Sequence, residues 1–128
     1  MQVLYQLDVS PDRDIEELVD LTMANDDFLN ETRNFAIELV KGTWEKKPEI
    51  DKIITERSIG WTLDRINHVD RSILRLSIFE ILFSATPPSV VINEAVNLAK
   101  KFGTDDSSKF INGILGKLVD SQKEKAKD

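Results

Sequence analysis

Cysteine is absent from the 128-residue chain. Its absence excludes disulfides and thiolate-held metals and suits a reducing compartment. His68 is the one histidine, so no histidine-rich metal site can form. Asp105-Asp106 lacks the further oxygen ligands that a calcium loop needs. The stretch GILGK at Gly113–Lys117 has neither the spacing nor the following Ser/Thr of a phosphate loop. There is no nucleophile elbow and no dinucleotide fingerprint. No apolar run approaches the roughly twenty residues of a membrane span, and no secretory leader is recognisable. These absences suit a reducing cytosol, leave an enzyme unsupported and point to no cofactor and no metal.

Apolar residues make up 41% of the chain and charged residues 31%, as in a globular domain with a hydrophobic core. The net charge of −6 argues against a simple nucleic-acid binder. The charge is uneven, however. Residues 1–31 hold nine acids against one base, residues 32–69 seven bases against six acids, and residues 70–128 nine bases against eight acids. A local basic surface in the second half therefore remains open.

Almost every segment has helical periodicity, and no alternating strand pattern is long enough to compete. Val3, Leu4 and Leu7 define one face of a first helix, with Tyr5 pointing outward. Ser10-Pro11 interrupts, and Ile15, Leu18, Val19 and Thr22 form the next apolar face. A long helix follows from about Phe28 to Trp44, with Phe28, Leu29, Phe35, Ala36, Leu39 and Val40 among its apolar positions. Pro48 suits the first turn of another helix, and Trp61, Leu63 and Ile66 anchor a short link. From Asp70 to Phe83 the sequence is apolar nearly all round, the mark of a central helix. Pro87-Pro88 ends it. Ser89 can cap the next helix, whose stripe Val91, Ile92, Ala95, Val96, Leu98, Ala99 and Phe102 should be buried. Gly103 is a natural residue just past its end. A last helix should stop near Val119, leaving the polar residues 120–128 as a disordered tail after a single domain at 1–119.

In the last helix, Ile111, Ile114, Leu115, Leu118 and Val119 form a continuous apolar arc, and Phe110 lies at its edge. Asp106, Lys109, Gly113 and Lys117 flank that ring. Two readings stand: the border of the core, or a stacking platform for an unpaired base. Arg71 and Arg75, one turn apart on the central helix, can bind phosphate or solubilise a rim. Asp70 reads as the cap of that helix.

Four stretches together resemble the NusB family of bacterial transcription antitermination factors: QVLYQLD at Gln2–Asp8, VDRSILRLSIFEIL at Val69–Leu82, PPSVVINEAVNLAKKFG at Pro87–Gly103 and DDSSKFINGILGKL at Asp105–Leu118. The resemblance implies an all-α bundle of about seven helices in two perpendicular helical subdomains. It implies binding of boxA-type single-stranded RNA together with a NusE-type small-subunit ribosomal protein, within an RNA polymerase antitermination complex. Carried over residue by residue, it points to Phe110 and Asp106 as RNA contacts, with Arg75 nearby. Lys100, Lys101 and Lys109 would track phosphates. Tyr5 and Asp70 match positions at the RNA or partner-protein surface, with the two roles undivided. The family's arginine-rich stretch ahead of the first helix has no counterpart before Met1-Gln2-Val3, which implies weak binding to RNA alone and strong dependence on the partner. The acidic first quarter would face a basic ribosomal protein and aid encounter. An accessory RNA-binding domain like that of RNA cytosine methyltransferases, and a helical interaction module or homo-oligomer without RNA, are the alternatives.

Overall fold

A computed structural model describes residues 1–23, 30–58 and 62–126, with side chains from 33 onward in the third helix and up to 122 in the last. The expected apolar positions Phe28, Leu29 and Trp61 lie outside the described residues. Seven α-helices and one 3-10 turn account for nearly all of the rest: α1 (Gln2–Val9), α2 (Ile15–Thr22), α3 (Asn30–Glu45), α4 (Lys47–Arg57), the turn Leu63–Arg65, α5 (His68–Phe83), α6 (Pro88–Phe102) and α7 (Ser107–Ala126). No strand occurs among the described residues.

Local chemistry sets the helix starts. The Asp14 carboxylate accepts the Glu17 amide at 3.2 Å and caps α2. Pro48 sits in the first turn of α4, where its missing N–H is not needed. The cap of α5 is Asn67 rather than Asp70. The Asn67 Oδ1 accepts the Asp70 amide at 2.9 Å, and its Nδ2 donates back to Asp70 Oδ2 at 3.2 Å. Asp70 thus stands at the third helical position, paired with the cap residue's side chain, instead of being the cap itself. Pro87, not Ser89, precedes α6.

Two apolar cores result. Val3, Leu4, Leu7, Leu18, Val19, Ile37 and Val40 join α1, α2 and α3. A larger core joins α4 to α7 through Ile50, Ile54, Ile73, Leu74, Ile78, Ala95, Ala99, Ile111 and Leu115. Each fully buried Leu or Ile contributes about 1.5–3 kcal/mol of transfer free energy, so these faces hold the helices in register. Helix α5 packs against α1, α3, α4, α6 and α7, which explains its all-round apolar pattern. Gly42 lets α3 approach it, since a Cβ there would lie 2.3 Å from Phe79 Cζ.

Two expectations are corrected. The α6 stripe is only partly sealed: Val91, Ala95 and Ala99 are buried, Ile92, Val96 and Leu98 are not fully covered, and Phe102 is exposed. Helix α7 does not stop near Val119 but runs to Ala126, where a disordered tail was expected. The segment has no proline or glycine, and Gln, Lys, Glu and Ala propagate a helix well once one has nucleated. Lys127 and Asp128, the last two residues of the expected tail, fall outside the described residues.

Candidate nucleic-acid and partner-protein interface

The turn between α6 and α7 builds one wall of the site. Gly103 closes α6 with φ −96° and ψ −166°, an extended conformation open to any residue. What requires glycine here is space: a Cβ would sit 2.5 Å from Ser107 Oγ and 2.8 Å from the Ala99 carbonyl oxygen. The buried Ser107 hydroxyl accepts the Thr104 amide at 2.9 Å. That bond folds the turn and starts α7, in which the Phe110 amide donates to the Asp106 carbonyl at 3.1 Å.

Phe110 lies at the border of the core, with one side on a cleft. Half-buried, it packs against the larger core, and it also lines a cleft of about 280 Å³. Asp106, Thr104, Asn67, Asp70 and Arg65 line the same cleft. Asp70 is only 6% exposed, and its Oδ1 is buried without a hydrogen-bond partner among the described residues. A buried acceptor left unpaired is costly, so this wall favours a ligand that brings an N–H or O–H donor. Arg65 stands exposed at the end of the 3-10 turn and supplies a positive charge. Sequence reasoning missed Arg65, because nothing local distinguishes it from any other surface arginine.

The cleft continues along the surface. It shares Asn67 and Thr104 with a neighbouring hollow of about 360 Å³ that reaches Tyr5, His68 and Phe102. A further hollow of about 340 Å³ extends past Tyr5, Val69 and Phe102 to Gln2 and Gln6. Tyr5 is 39% exposed and Phe102 37%. Among the described residues no lysine or arginine side chain lines these two hollows. The trough therefore has a polar end at Phe110 and an apolar end at Tyr5. Phe102 was expected in the core; its place at the end of the α6 stripe was the available signal.

The structure removes Arg75 from the phosphate contacts expected of it. Its side chain is 2% exposed. Nε and Nη2 donate to the two oxygens of Asp51 at 2.8 and 3.0 Å, and Nη1 donates to Asp8 Oδ1 at 2.8 Å. Burial alone would lower the guanidinium pKa, but Asp51 and Asp8 outweigh it and hold the group above its ordinary value. Arg71 is engaged likewise, donating to Asp8 Oδ2 from Nε at 2.9 Å and Nη2 at 2.7 Å, and to the Leu63 carbonyl at 3.0 Å. For Asp8, burial pushes the carboxyl up, and hydrogen bonds from His68, Arg71 and Arg75 more than reverse this, leaving it below the usual aspartate value. These two arginines tie α1 and α4 to α5; they are not free to meet a strand.

Lys100 and Lys101 are exposed in the last turn of α6, and Lys109 is exposed in the first turn of α7. The Lys101 ammonium lies 5.2 Å from the centre of the Phe102 ring. These lysines flank the trough in sequence but do not line its three hollows. Among the described residues no group of His, Cys, Asp or Glu could hold a metal ion. No described helix is long and apolar enough to cross a membrane.

Two packed helical cores with a surface trough along α1, α5, α6 and α7 define an all-α helical module. The NusB family model matches residues 1–120, and the chain belongs to that family. It is 38% identical over 122 residues to the transcription antitermination protein NusB of Chloroflexus aggregans, covering 93% of this chain and 81% of the relative. The T. maritima NusB structure superimposes with a TM-score of 0.82 at 33% identity, covering 91% of this chain and 82% of that one. A chain in the crystal structure of antitermination factors NusB and NusE in complex with dsRNA gives a TM-score of 0.81 at 29% identity, covering 93% and 89%.

Proposed function

We propose that this chain is a transcription antitermination factor of the cytoplasm that binds boxA-type single-stranded RNA together with a NusE-type small-subunit ribosomal protein, and so helps assemble a processive RNA polymerase antitermination complex. It acts by equilibrium binding, without a chemical step. The observation that carries this reading is the trough with two unlike ends. At one end the Phe110 ring, the Arg65 charge and the unpaired Asp70 acceptor suit a base with its phosphate and donor edge. At the other, Tyr5, Val69 and Phe102 offer an apolar hollow without lysine or arginine among the described residues, which suits protein side chains. Among the relatives named above, a NusB solved with NusE and dsRNA supports RNA and a NusE-type protein as the two kinds of partner.

Fluorescence anisotropy of a labelled boxA-type RNA, with and without the ribosomal protein, tests it. Wild-type protein should bind the RNA together with the partner, and prefer the single strand to a duplex of the same sequence. Phe110→Leu keeps apolar volume at the core border and removes the aromatic face. It should weaken binding of the RNA–partner pair by about 5- to 150-fold, the value of one base–aromatic stack. A folded Phe110→Leu protein that binds the pair like wild type refutes stacking at this ring. Wild-type protein that ignores both RNA and partner refutes the function.

A further inference from the structure

Tyr5 stands at the apolar end of the trough with nothing polar to hold it: its hydroxyl has no hydrogen-bond partner among the described residues. The aromatic ring it meets is that of His68, edge-on, with centroids 6.0 Å apart and planes at 78°. His68 opens α5 immediately after the Asn67 cap, and its side chain is 47% exposed. The imidazole is nonetheless anchored. Its Nδ1 pairs with the Asp8 carboxylate, and Arg71 Nη2 lies 2.9 Å from the same nitrogen. Asp8 lies three residues beyond Tyr5 on α1 and is itself fixed by Arg71 and Arg75. A buried ion network thus ends in an exposed imidazole that meets the ring of the tyrosine in the trough.

We infer that His68 is a positioning residue for the partner-protein end of the trough: held at Nδ1 by Asp8, it fixes the Tyr5 ring in the orientation that the ribosomal protein meets. The inference rests on the function proposed above, and it adds a residue that sequence reasoning did not assign to the site. The Nδ1 anchor sets where the imidazole lies, and the ring edge transmits that placement to Tyr5. Exchange of either part has a distinct consequence.

Tyr5 and His68 are the only tyrosine and the only histidine of the chain, so their ring signals in a proton NMR spectrum are assigned by residue type. The first measurement compares the Tyr5 ring signals of wild type, His68→Ala, His68→Asn and His68→Phe. Loss of the ring in His68→Ala and His68→Asn should move them, and His68→Phe should leave them nearer to wild type. The second measures affinity for the NusE-type ribosomal protein, with RNA present, in a double-mutant cycle with Tyr5→Ala. His68→Ala should weaken binding about two- to tenfold, the range of one aromatic pair contact. It should cost nothing further in the Tyr5→Ala background, because the effect passes through that ring. Denaturation midpoints of all variants report whether they are folded.

Unmoved Tyr5 signals in His68→Ala overturn the assignment whatever the binding result. So do a full His68→Ala loss that persists without Tyr5, and a loss confined to RNA binding in the absence of the ribosomal protein. Wild-type protein that fails to bind the ribosomal protein instead overturns the function, and the NMR comparison still decides whether His68 places Tyr5.

Discussion

Asp8→Asn is the sharpest perturbation of the fold that the structure offers. The change is nearly isosteric and removes one charge. The carboxylate, 7% exposed, accepts hydrogen bonds from His68, Arg71 and Arg75. Breaking a buried pair by deleting one partner costs about 3–5 kcal/mol, because the other charge is stranded. Two features place this case at the low end. Arg75 keeps its paired bonds to Asp51, and the amide oxygen of asparagine still accepts one donor. The expected loss is therefore about 3 kcal/mol at neutral pH. With an unfolding entropy near 2.1 cal/mol/K per residue, that lowers the melting temperature of a chain this size by about 10 °C. Urea unfolding followed by circular dichroism measures it directly. The pH dependence supplies a second arm. Because the Asp8 pKa is lowered in the folded state, its contribution is complete above the ordinary aspartate value and disappears as pH falls through the lowered one. The gap between wild type and Asp8→Asn should thus close from about pH 4 downward. A gap below about 1 kcal/mol at pH 7, or one that does not change with acid, refutes the argument that this carboxylate holds α1 to α5.

Glu80 works in the opposite sense: burial and the nearby Glu94 raise its pKa, with the terminal amine of Met1 partly offsetting them. Its contribution is complete in acid and lost as pH rises through the raised value, so Glu80→Gln should increase the urea midpoint at pH 7 and leave it unchanged at pH 4. Gly103→Ala forces a methyl against Ser107 and the Ala99 carbonyl; it should destabilise by about 1–3 kcal/mol and weaken RNA binding as the start of α7 shifts. A calorimetric trace that matches wild type refutes it. Lys100→Gln and Lys101→Gln remove exposed charges, so each should leave stability unchanged and reduce the slope of log affinity against log salt by about 1. Unaltered slopes place the RNA elsewhere.

The amino-acid sequence, taken alone, determined which segments are helices and most of their buried faces, with Phe35 of α3 and Phe102 of α6 exposed instead. Val3, Leu4 and Leu7, or Ile111, Ile114 and Leu115, recur at intervals that a 3.6-residue turn brings onto one side, and that relation needs no distant partner. The all-round apolar Ile73–Phe83 marked the central helix for the same reason. The likeness to one family was legible too, because its motifs are contiguous stretches. The end of α7 was misjudged locally, since a polar surface was read as an inability to order, although its residues propagate a helix once the buried turns before it exist.

Only the tertiary structure decided the fate of the charges and the shape of the site. Arg75 looks the same in sequence whether it meets phosphate or carboxylate; packing of α1 and α4 on α5 brings Asp8 and Asp51 to it from 67 and 24 residues away. Arg65 joins Phe110, and His68 joins Tyr5, only because separate helices converge on one trough. Periodicity is a property of neighbouring residues along one chain direction, whereas an ion pair or a cleft is a property of which elements meet, and that choice is made by the cores as a whole.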